Sequence, residues 1–577
     1  MEMQLKAGEI SVRYENGFLR YINYGNAEVL RMIYFALRDG NWGTLDAVIS
    51  NEHIVSGDRS FTIHYDCKHR YQNTDICEWK VSITGKENGE IAYGISGQYL
   101  VDFKKNRTGL CVLHPADGEQ AQEIIIIHTD GSYEHTFLPQ FIAPQDLFKQ
   151  IRSLRVKKDE HWYRVDFEGD IFETEDQRNW TDASFKTFCT PLDLPFPVSV
   201  KAGDKVHQKV TFVPETVLPG LNKDASDTLI ITFSDYLRAM PEIGVGKSTT
   251  IDHILSVESV DLLKKLQLQH YQTDVDMTIP HWANVFEVDV ANARYLHLPL
   301  TVSLVLSDDF EKDYDDFIRF CTKYQVNLHA VLLLSAGKLV TSSGVAASAA
   351  AFSKQLMDVD TGIGSHYNFT EINRHCLTPV DGQFISYAIH PQEHAFDDLT
   401  MVENIAGQAA TVKTVKHAFG ESVPVHITPL TLRRRFNPYA NDPAAKLWSS
   451  EQRADPRQKN ALGALFLLGS LKGLSISGAK SVTCFQTIGD EGLITADLKA
   501  FPVYDALRAL VQIGSKQIVD TRSSHPLMVD CMLFDNGNML VWNYTNEEQR
   551  VQFPGHRLIS LQPQQILSLP SGFAQYL

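Results

Sequence analysis

Between about residues 235 and 505, strand and helix patterns alternate in regular succession, which restricts the chain to few folds. Short apolar or alternating runs are typical of strands, and the segments between them repeat apolar residues at helical spacing. This alternation predicts a parallel sheet, and eight such units are the number that closes a (β/α)8 barrel. The predicted strands lie near 241–246, 270–277, 299–307, 328–335, 363–371, 384–390, 423–429 and 481–487.

One of these strands, within FISYAIHPQEHAFDD (384–398), indicates how polar groups reach the mouth of the barrel. Small and bulky side chains alternate along it, so His390 falls on the face with the small residues. A proline then ends the strand, and a short loop carries His394 and Asp397 toward a helix whose predicted N-cap is Asp398. Loops at the C-terminal ends of barrel strands form the active face.

Strand-like patterns also flank the predicted barrel on both sides. Residues 1 to about 220 alternate with a period of two in many short runs, and Glu15-Asn16-Gly17 is a hairpin signal. Residues 525–577 return to the same pattern, with a second hairpin around 535–538. We therefore expect an N-terminal β-sandwich (1–225), a central (β/α)8 TIM barrel (226–515) and a small C-terminal β-sandwich (516–577).

Composition and charge exclude several classes of partner. A formal net charge of −17 argues against nucleic acids and anionic membranes, because both bind to basic surfaces. The N-terminus lacks the apolar region of a signal peptide and no later run approaches a membrane span, so we expect a cytoplasmic protein. The eight scattered cysteines are expected to be reduced. A neutral or cationic small molecule is the predicted partner; the oligomeric state stays open.

Three residues are the predicted catalytic groups, namely Glu371, His390 and His394. Glu371 would end the fifth barrel strand and the histidines would follow the sixth, so all three would meet at one mouth. Histidine is also the side chain that changes charge near pH 7. Structural interpretations remain open: His390 bonded to a backbone carbonyl, His394 paired with Asp397, and Glu371 paired with Arg374.

The same three side chains would make a ligand set of the catalytic zinc type. However, two histidines four residues apart bind one metal ion when both lie on a helix. Here His390 is predicted at the end of a strand and His394 in the loop after it. We therefore predict no metal site and no cofactor.

Other strand ends supply candidate substrate-binding groups. Asp274 and Asp276 share one face of the second strand and should point toward the mouth. Arg434, within the run 433–435 after the seventh strand, could bind a carboxylate product, although a surface basic cluster is an equally plain explanation.

A dense polar run at 173–186 interrupts the strand pattern of the N-terminal region. One interpretation is a solvated loop with internal ion pairs. The other is an arm that reaches toward a neighbouring domain and presents polar groups to a polyol. Its candidate substrate-binding residues are Asn179, Trp180, Asp182 and Lys186.

Six stretches, spread over nearly the whole chain, stand out as family-specific motifs. They are RDGNWGT (38–44), NRTGLCVLHP (106–115), HTDG (128–131), FEGDIFETEDQRNWTDASFKTFCTPLDLPFPV (167–198), NFTEINR (368–374) and HPQEHAFDD (390–398). These stretches resemble the D-apionate lactonase family. The resemblance implies hydrolysis of a five-membered sugar lactone, such as D-apionolactone, to its aldonate in branched-pentose catabolism. It also implies an architecture like that of multidomain glycoside hydrolases.

The last barrel strand departs from this family pattern. The chain has Phe485-Gln486-Thr487 where we expect the family to read closer to Tyr-Glu-Thr. An amide can bind a hydroxyl group but cannot take up a proton, so Gln486 is predicted to bind substrate.

The chemistry of lactone opening agrees with these candidates. It needs a positioned water, a base that works near neutral pH and donors for the oxyanion. No GxSxG elbow occurs, so water with general-base help is predicted instead of a serine nucleophile. Two alternatives stay open: a glycoside hydrolase that pairs Glu371 with Asp274 or Asp276, and a non-catalytic carbohydrate-binding relative.

Overall fold

The computed structural model describes residues 2–571 except 26, 117–121, 160, 216–227, 358, 376, 378, 380 and 381. The chain divides into two compact units. One contains the N-terminal strands together with residues 439–446, and the other contains residues 179–182, the barrel and the C-terminal strands.

The N-terminal unit is built on a 17-stranded antiparallel sheet. Asn16 and Gly17 have φ angles of 49° and 87°, as the predicted hairpin turn requires. Inward-facing residues such as Trp79, Tyr93 and Phe212 form the core. The strands are β1 (Glu2–Ala7), β2 (Ile10–Glu15), β3 (Phe18–Tyr24), β4 (Ala27–Asp39), β5 (Asp46–Ser56), β6 (Phe61–Tyr71), β7 (Thr74–Gly85), β8 (Ile91–Tyr99), β9 (Phe103–Pro115), β10 (Glu123–His128), β11 (Tyr133–Phe137), β12 (Phe148–Lys158), β13 (His161–Glu168), β14 (Phe172–Asp176), β15 (Ser184–Phe188), β16 (Val198–Val200) and β17 (Lys205–Pro214).

The polar run at 173–186 is a strand pair and not a solvated loop. Strands β14 and β15 pair antiparallel and are joined by a 3-10 helix, Gln177–Trp180. Both strands are buried along their whole length, which removes the polar–apolar alternation by which a strand is recognised. Lys186 lies opposite Glu175 and forms a 2.5 Å ion pair with it.

The next strand, β18 (Thr228–Ala239), belongs to a sheet described below, and the barrel follows it. Strands β19 to β26 are parallel, each pairs with the next, and β26 pairs with β19, so the predicted barrel closes. The elements are β19 (Glu242–Gly246), α1 (Val257–Lys264), β20 (His270–Asp276), α2 (Trp282–Leu296), β21 (Leu300–Leu306), α3 (Phe310–Tyr324), β22 (Leu328–Ser335), α4 (Ser343–Gln355), β23 (Asp360–Gly364), α5 (Phe369–Arg374), β24 (Phe384–Ile389), α6 (Asp398–Glu403), α7 (Ile405–Phe419), β25 (Val425–Leu430), α8 (Ser450–Arg453), α9 (Ala461–Ser477), β26 (Ser481–Ile488), β27 (Gly492–Ile494) and α10 (Pro502–Ile513), with 3-10 helices at Pro443–Ala445 and Pro456–Lys459.

Two local predictions in the barrel are wrong. The fifth strand ends at Gly364 and not at Glu371, because the chain turns after it and the short helix α5 begins at Phe369, with Asn368 as its N-cap. Glu371 therefore lies in the first turn of a helix. The N-cap of α6 is Asp397 and not Asp398; its side chain accepts a hydrogen bond from the backbone N–H of Thr400.

The C-terminal strands form a 7-stranded sheet that includes β18. Strand β18 lies within the range 226–515 expected for the barrel, yet it pairs antiparallel with β28 and parallel with β31. The hairpin predicted around 535–538 is confirmed, with Leu533 opposite Met539. The strands are β28 (Gln517–Ser523), β29 (Val529–Phe534), β30 (Met539–Asn543), β31 (Gln549–Phe553), β32 (Arg557–Leu561) and β33 (Ile566–Leu569), with a 3-10 helix at Pro554–His556.

The seven cysteines that the structure describes are free and buried; Cys376 lies outside the described residues. Among the helices in the described ranges, none is both long and apolar enough to cross a membrane.

Candidate active site

The candidate residues of the barrel follow or end several parallel strands. Because the strands run in the same direction, their C-terminal ends and the loops after them lie on one face of the barrel. Asp274 lies near the end of β20, His390 directly follows β24, and Gln486 lies near the end of β26. This face of the barrel is the candidate active site.

A histidine–carboxylate pair is the first feature of this site. Nδ1 of His394 lies 2.7 Å from Oδ2 of Asp182. A carboxylate can only accept, so Nδ1 donates the hydrogen bond and Nε2 of the neutral ring is left as an acceptor. Asp182 is buried, and its Oδ1 accepts a 3.0 Å hydrogen bond from Nδ2 of Asn404. The pair therefore has the arrangement of an oriented general base.

Residues 179–182, which the chain supplies from between β14 and β15, are held against the loops of the barrel. Nδ2 of Asn373 donates to Oδ1 of Asn179 over 2.8 Å, and the Thr181 hydroxyl donates to the backbone carbonyl of His390 over 2.7 Å. The ring of Trp180 meets that of His394 edge to face at 6.1 Å. Two of the four arm residues singled out in the sequence, Trp180 and Asp182, thus contact the predicted catalytic His394, and Asn179 contacts Asn373, whereas Lys186 belongs to the N-terminal unit.

A second histidine lies beside a second carboxylate. His390 is 3% exposed, and its Nε2 is 3.3 Å from Oε2 of Glu393. Oε1 of Glu393 accepts a 2.8 Å hydrogen bond from Arg434, whose guanidinium lies 4.4 Å from the ring centre of Trp448. Burial alone would raise the pKa of Glu393, but the charge of Arg434 and the nearby imidazoles outweigh it and hold that pKa well below its usual range. Glu393 is therefore a carboxylate anion.

Asp274 is the centre of a third polar group. Its Oδ1 accepts a 2.7 Å hydrogen bond from Gln272, while its Oδ2 lies 3.3 Å from Nε2 of His366 and 3.5 Å from Arg435. Burial opposes ionisation of Asp274, yet the neighbouring His366 and Arg435 hold its pKa well below the usual range. Asp276, two residues on, accepts 2.9 Å and 2.6 Å hydrogen bonds from the backbone N–H and hydroxyl of Thr278.

The two remaining candidates are buried. Glu371 has no exposed surface, and its charge contributes, after burial, to raising the pKa of the Tyr367 hydroxyl. Gln486 is 8% exposed, and its Oε1 accepts hydrogen bonds of 2.9 Å and 3.2 Å from the backbone N–H and the hydroxyl of Thr249. With Oε1 so occupied, the amide of Gln486 offers a substrate its N–H groups.

Glu393 and His366 were not among the candidate residues predicted from the sequence. Glu393 lies in the HPQEH run, three residues after His390 and directly before His394. Its place between two candidate histidines was a signal in the sequence that could have indicated a role at the site. His366 falls in the segment that was predicted to be strand, which hid its place in a loop at the mouth.

Among the described residues, no group of three or more His, Cys, Asp or Glu side chains is arranged to hold a metal ion. His390 and His394, which the sequence offered as zinc-type ligands, turn instead to Glu393 and Asp182.

The fold and the site define a class of protein. It has a (β/α)8 barrel that is flanked along the chain by strand-rich regions and carries histidine–carboxylate pairs at its mouth. Two family models match the chain: the N-terminal domain of D-apionate lactonase at residues 1–216 and the TIM barrel domain of D-apionate lactonase at residues 243–515. The chain belongs to the D-apionate lactonase family.

A curated relative and two solved structures are also similar to this chain. The D-apionate lactonase of Brucella anthropi is 27% identical, with 98% of this chain and 96% of that protein covered. A family 51 α-L-arabinofuranosidase from Bifidobacterium longum matches at 9% identity and a TM-score of 0.41, covering 59% of this chain and 94% of its own. A β-arabinopyranosidase matches at 11% identity and a TM-score of 0.30, covering 99% of both chains.

Proposed function

We propose that this protein hydrolyses a five-membered, sugar-derived lactone, similar to D-apionolactone, to the open aldonate in branched-pentose catabolism. The observation that carries the proposal is the His394–Asp182 pair at the mouth of the barrel. The name of the Brucella anthropi relative supports a lactone as substrate. We assign the protein to the cytoplasm, as its sequence leads us to expect, and to the carboxylic-ester hydrolases.

In this mechanism Nε2 of His394 takes a proton from water as the water oxygen attacks the lactone carbonyl carbon. The hydrogen bond from Nδ1 to Asp182 fixes the ring orientation and stabilises the imidazolium that forms. Glu371 orients the substrate or water from the first turn of α5. General-base help of this kind contributes about 10²–10⁴-fold to the rate.

The polar groups around the pair would bind the hydroxyl groups of the sugar. Asp274, held ionised, accepts hydrogen bonds from hydroxyls, and the amide N–H groups of Gln486 donate to them. Trp180 supplies an apolar ring face for the carbon skeleton. The further substrate-binding residues of this proposal are Asn179, Asp182, Asp276 and Arg434.

Glycoside hydrolysis by the same carboxylates is the alternative function. A glycosidase needs one carboxyl group that is protonated near neutral pH, so that it can act as an acid, and a second that is ionised. The ion pairs of Asp274 hold its pKa low, so Asp274 would be the ionised member of the pair and Glu371 the acid.

The test is to incubate the purified protein with a panel of pentono- and apionolactones and, in parallel, with aryl pentosides. We expect one equivalent of acid per lactone consumed, measured by titration at constant pH, and no aryl alcohol released from the glycosides. Glycoside cleavage without lactone opening would favour the glycosidase alternative. Binding of sugars without turnover of either substrate would make the protein a non-catalytic relative.

A further inference from the structure

The imidazole of His390 is buried, yet it is poorly satisfied by the protein around it. Across the part of the chain that the structure describes, neither Nδ1 nor Nε2 of His390 has a hydrogen-bond partner, and neither does Oε2 of Glu393. Nε2 and Oε2 are 3.3 Å apart, which is within ion-pair distance but does not give a hydrogen bond of normal geometry. Buried polar atoms are nearly always hydrogen-bonded, so a ring in this state at a barrel mouth points to a function.

The charged group beside His390 is Glu393. Glu393 is an anion, and an anion within about 4–6 Å stabilises an imidazolium. The other charged or titratable groups that act on Glu393 are Arg434, which donates to Oε1, and His394, which is bonded to Asp182. The two histidines thus have different settings: His394 donates from Nδ1 and keeps Nε2 as an acceptor, whereas His390 faces a carboxylate without a formed hydrogen bond.

Lactone opening needs two proton transfers. One proton is removed from the attacking water, and another is donated to the ring oxygen that leaves. The ring oxygen leaves as an alkoxide, which is a poor leaving group unless it is protonated as the bond breaks. Given the function proposed above, we infer that His390 is the general acid that protonates this oxygen. Glu393 is then a positioning residue that keeps the His390 imidazole protonated.

The steps balance as follows. Water loses a proton to Nε2 of His394 while its oxygen bonds to the carbonyl carbon, which gives a tetrahedral oxyanion. The carbonyl re-forms as the bond between that carbon and the ring oxygen breaks, and the ring oxygen takes the proton of His390. The products are a carboxylic acid, which ionises, and a new hydroxyl group. Transfer of the proton from His394 to His390 through solvent restores both rings.

The matched pair Glu393→Gln and Glu393→Asp separates charge from structure. Both variants alter the contact with Arg434, but only the first removes the negative charge. The pH dependence of kcat/KM on a sugar lactone is measured for each variant. If Glu393 had only a structural role, the pH at which the rate begins to fall would not change.

We expect the alkaline limb, where the acid loses its proton, to move down by about one pH unit or more in Glu393→Gln. In Glu393→Asp it should stay near its wild-type position. Arg434→Gln should move the limb upward, since the carboxylate then loses its compensating charge. His390→Gln should abolish the limb and slow turnover about 10²–10⁴-fold.

An alkaline limb that is the same in the wild type, Glu393→Gln and His390→Gln would overturn the inference while leaving lactone hydrolysis intact. Failure of the wild type to open any lactone would instead defeat the proposed function. A titration of the His390 ring followed by NMR keeps this inference testable without turnover. Its midpoint should fall in Glu393→Gln and not in Glu393→Asp; equal midpoints would contradict the role given to Glu393.

Discussion

In the proposed mechanism, Asp182 determines which nitrogen of His394 acts on water. A carboxylate accepts from Nδ1 and so favours the tautomer in which Nε2 carries no proton. Both histidines could be proposed from the sequence, because His390 directly follows a recognisable strand and His394 lies in the loop after it. The partner could not be identified in this way, since Asp182 and His394 are separated by 212 residues and only the tertiary fold brings them together.

Replacing Asp182 with Asn tests this role. An amide can donate to the ring and so favours the wrong tautomer, and we expect kcat to fall by about 10²–10⁴-fold. Steady-state assay of lactone opening measures the loss.

The control is Asp397→Ala, at the residue expected from the sequence to pair with His394. Asp397 caps α6, so its loss should cost about 1 kcal/mol of stability and leave kcat near that of the wild type. Equal losses of kcat in the two variants would refute a special role for Asp182.

At the scale of elements, helix α7 is packed closely against the segment that carries Asp182. A Cβ atom built on Gly407 of α7 would lie 2.1 Å from the backbone carbonyl oxygen of Thr181. Only glycine permits this approach, because any side chain would displace residues 179–182 from the barrel loops.

Gly407→Ala should therefore reduce lactone turnover, although alanine within a helix is favoured over glycine by about 1 kcal/mol. The matched control is Gly473→Ala in α9, where a new Cβ would meet its nearest neighbours at 3.8 Å and 3.9 Å, an ordinary contact. Melting temperature and kcat are measured for both. If Gly407→Ala behaves like Gly473→Ala, the close packing does not position Asp182.

The strand–helix alternation made the barrel predictable from sequence, because each unit has its own local pattern. The errors lie where that pattern is ambiguous. Residues 363–371 are short, mixed and partly apolar, so a strand end, a turn and the first turn of α5 look alike. Strands β14 and β15 are buried on both faces, which removes the alternation that identifies an edge or half-exposed strand.

At the scale of the whole molecule, the pairing of strands that are distant in sequence could not be predicted from local sequence patterns. Strand β18 lies in the range that was assigned to the barrel, and its partners are far along the chain; the backbone N–H of Ile230, for example, is bonded to the Ser524 hydroxyl, 294 residues away. No local periodicity encodes such a partner, so the composition of the C-terminal sheet follows only from the fold.

The molecule also buries histidines away from the candidate site. Burial lowers the pKa of His270 and His426, near the N-terminal ends of the barrel strands, to about 3 each. In the unfolded chain histidine takes up a proton at about pH 6.5. The unfolded state therefore binds more protons between about pH 3 and 6.5, and the stability that these groups contribute is lost as the pH falls through that window.

We expect the melting temperature to fall as the pH is lowered from 7 to 5, and the fall to be smaller in His426→Phe. The ring of His426 stacks on Phe384 at 4.0 Å, so phenylalanine preserves the stack and removes one titrating group. His253→Gln, at an exposed histidine, is the control and should keep the wild-type pH dependence. The same slope in all three proteins would contradict this explanation.

The most direct measurement is the pH dependence of kcat/KM for a sugar lactone in the wild type and in His394→Gln. In the wild type we expect the rate to fall on the acidic side of the profile, because a protonated base cannot take a proton from water. In His394→Gln the rate should be lower by about 10²-fold or more, and the profile should lack this fall at acidic pH. A variant that kept the wild-type rate and the same acidic limb would contradict base catalysis by His394.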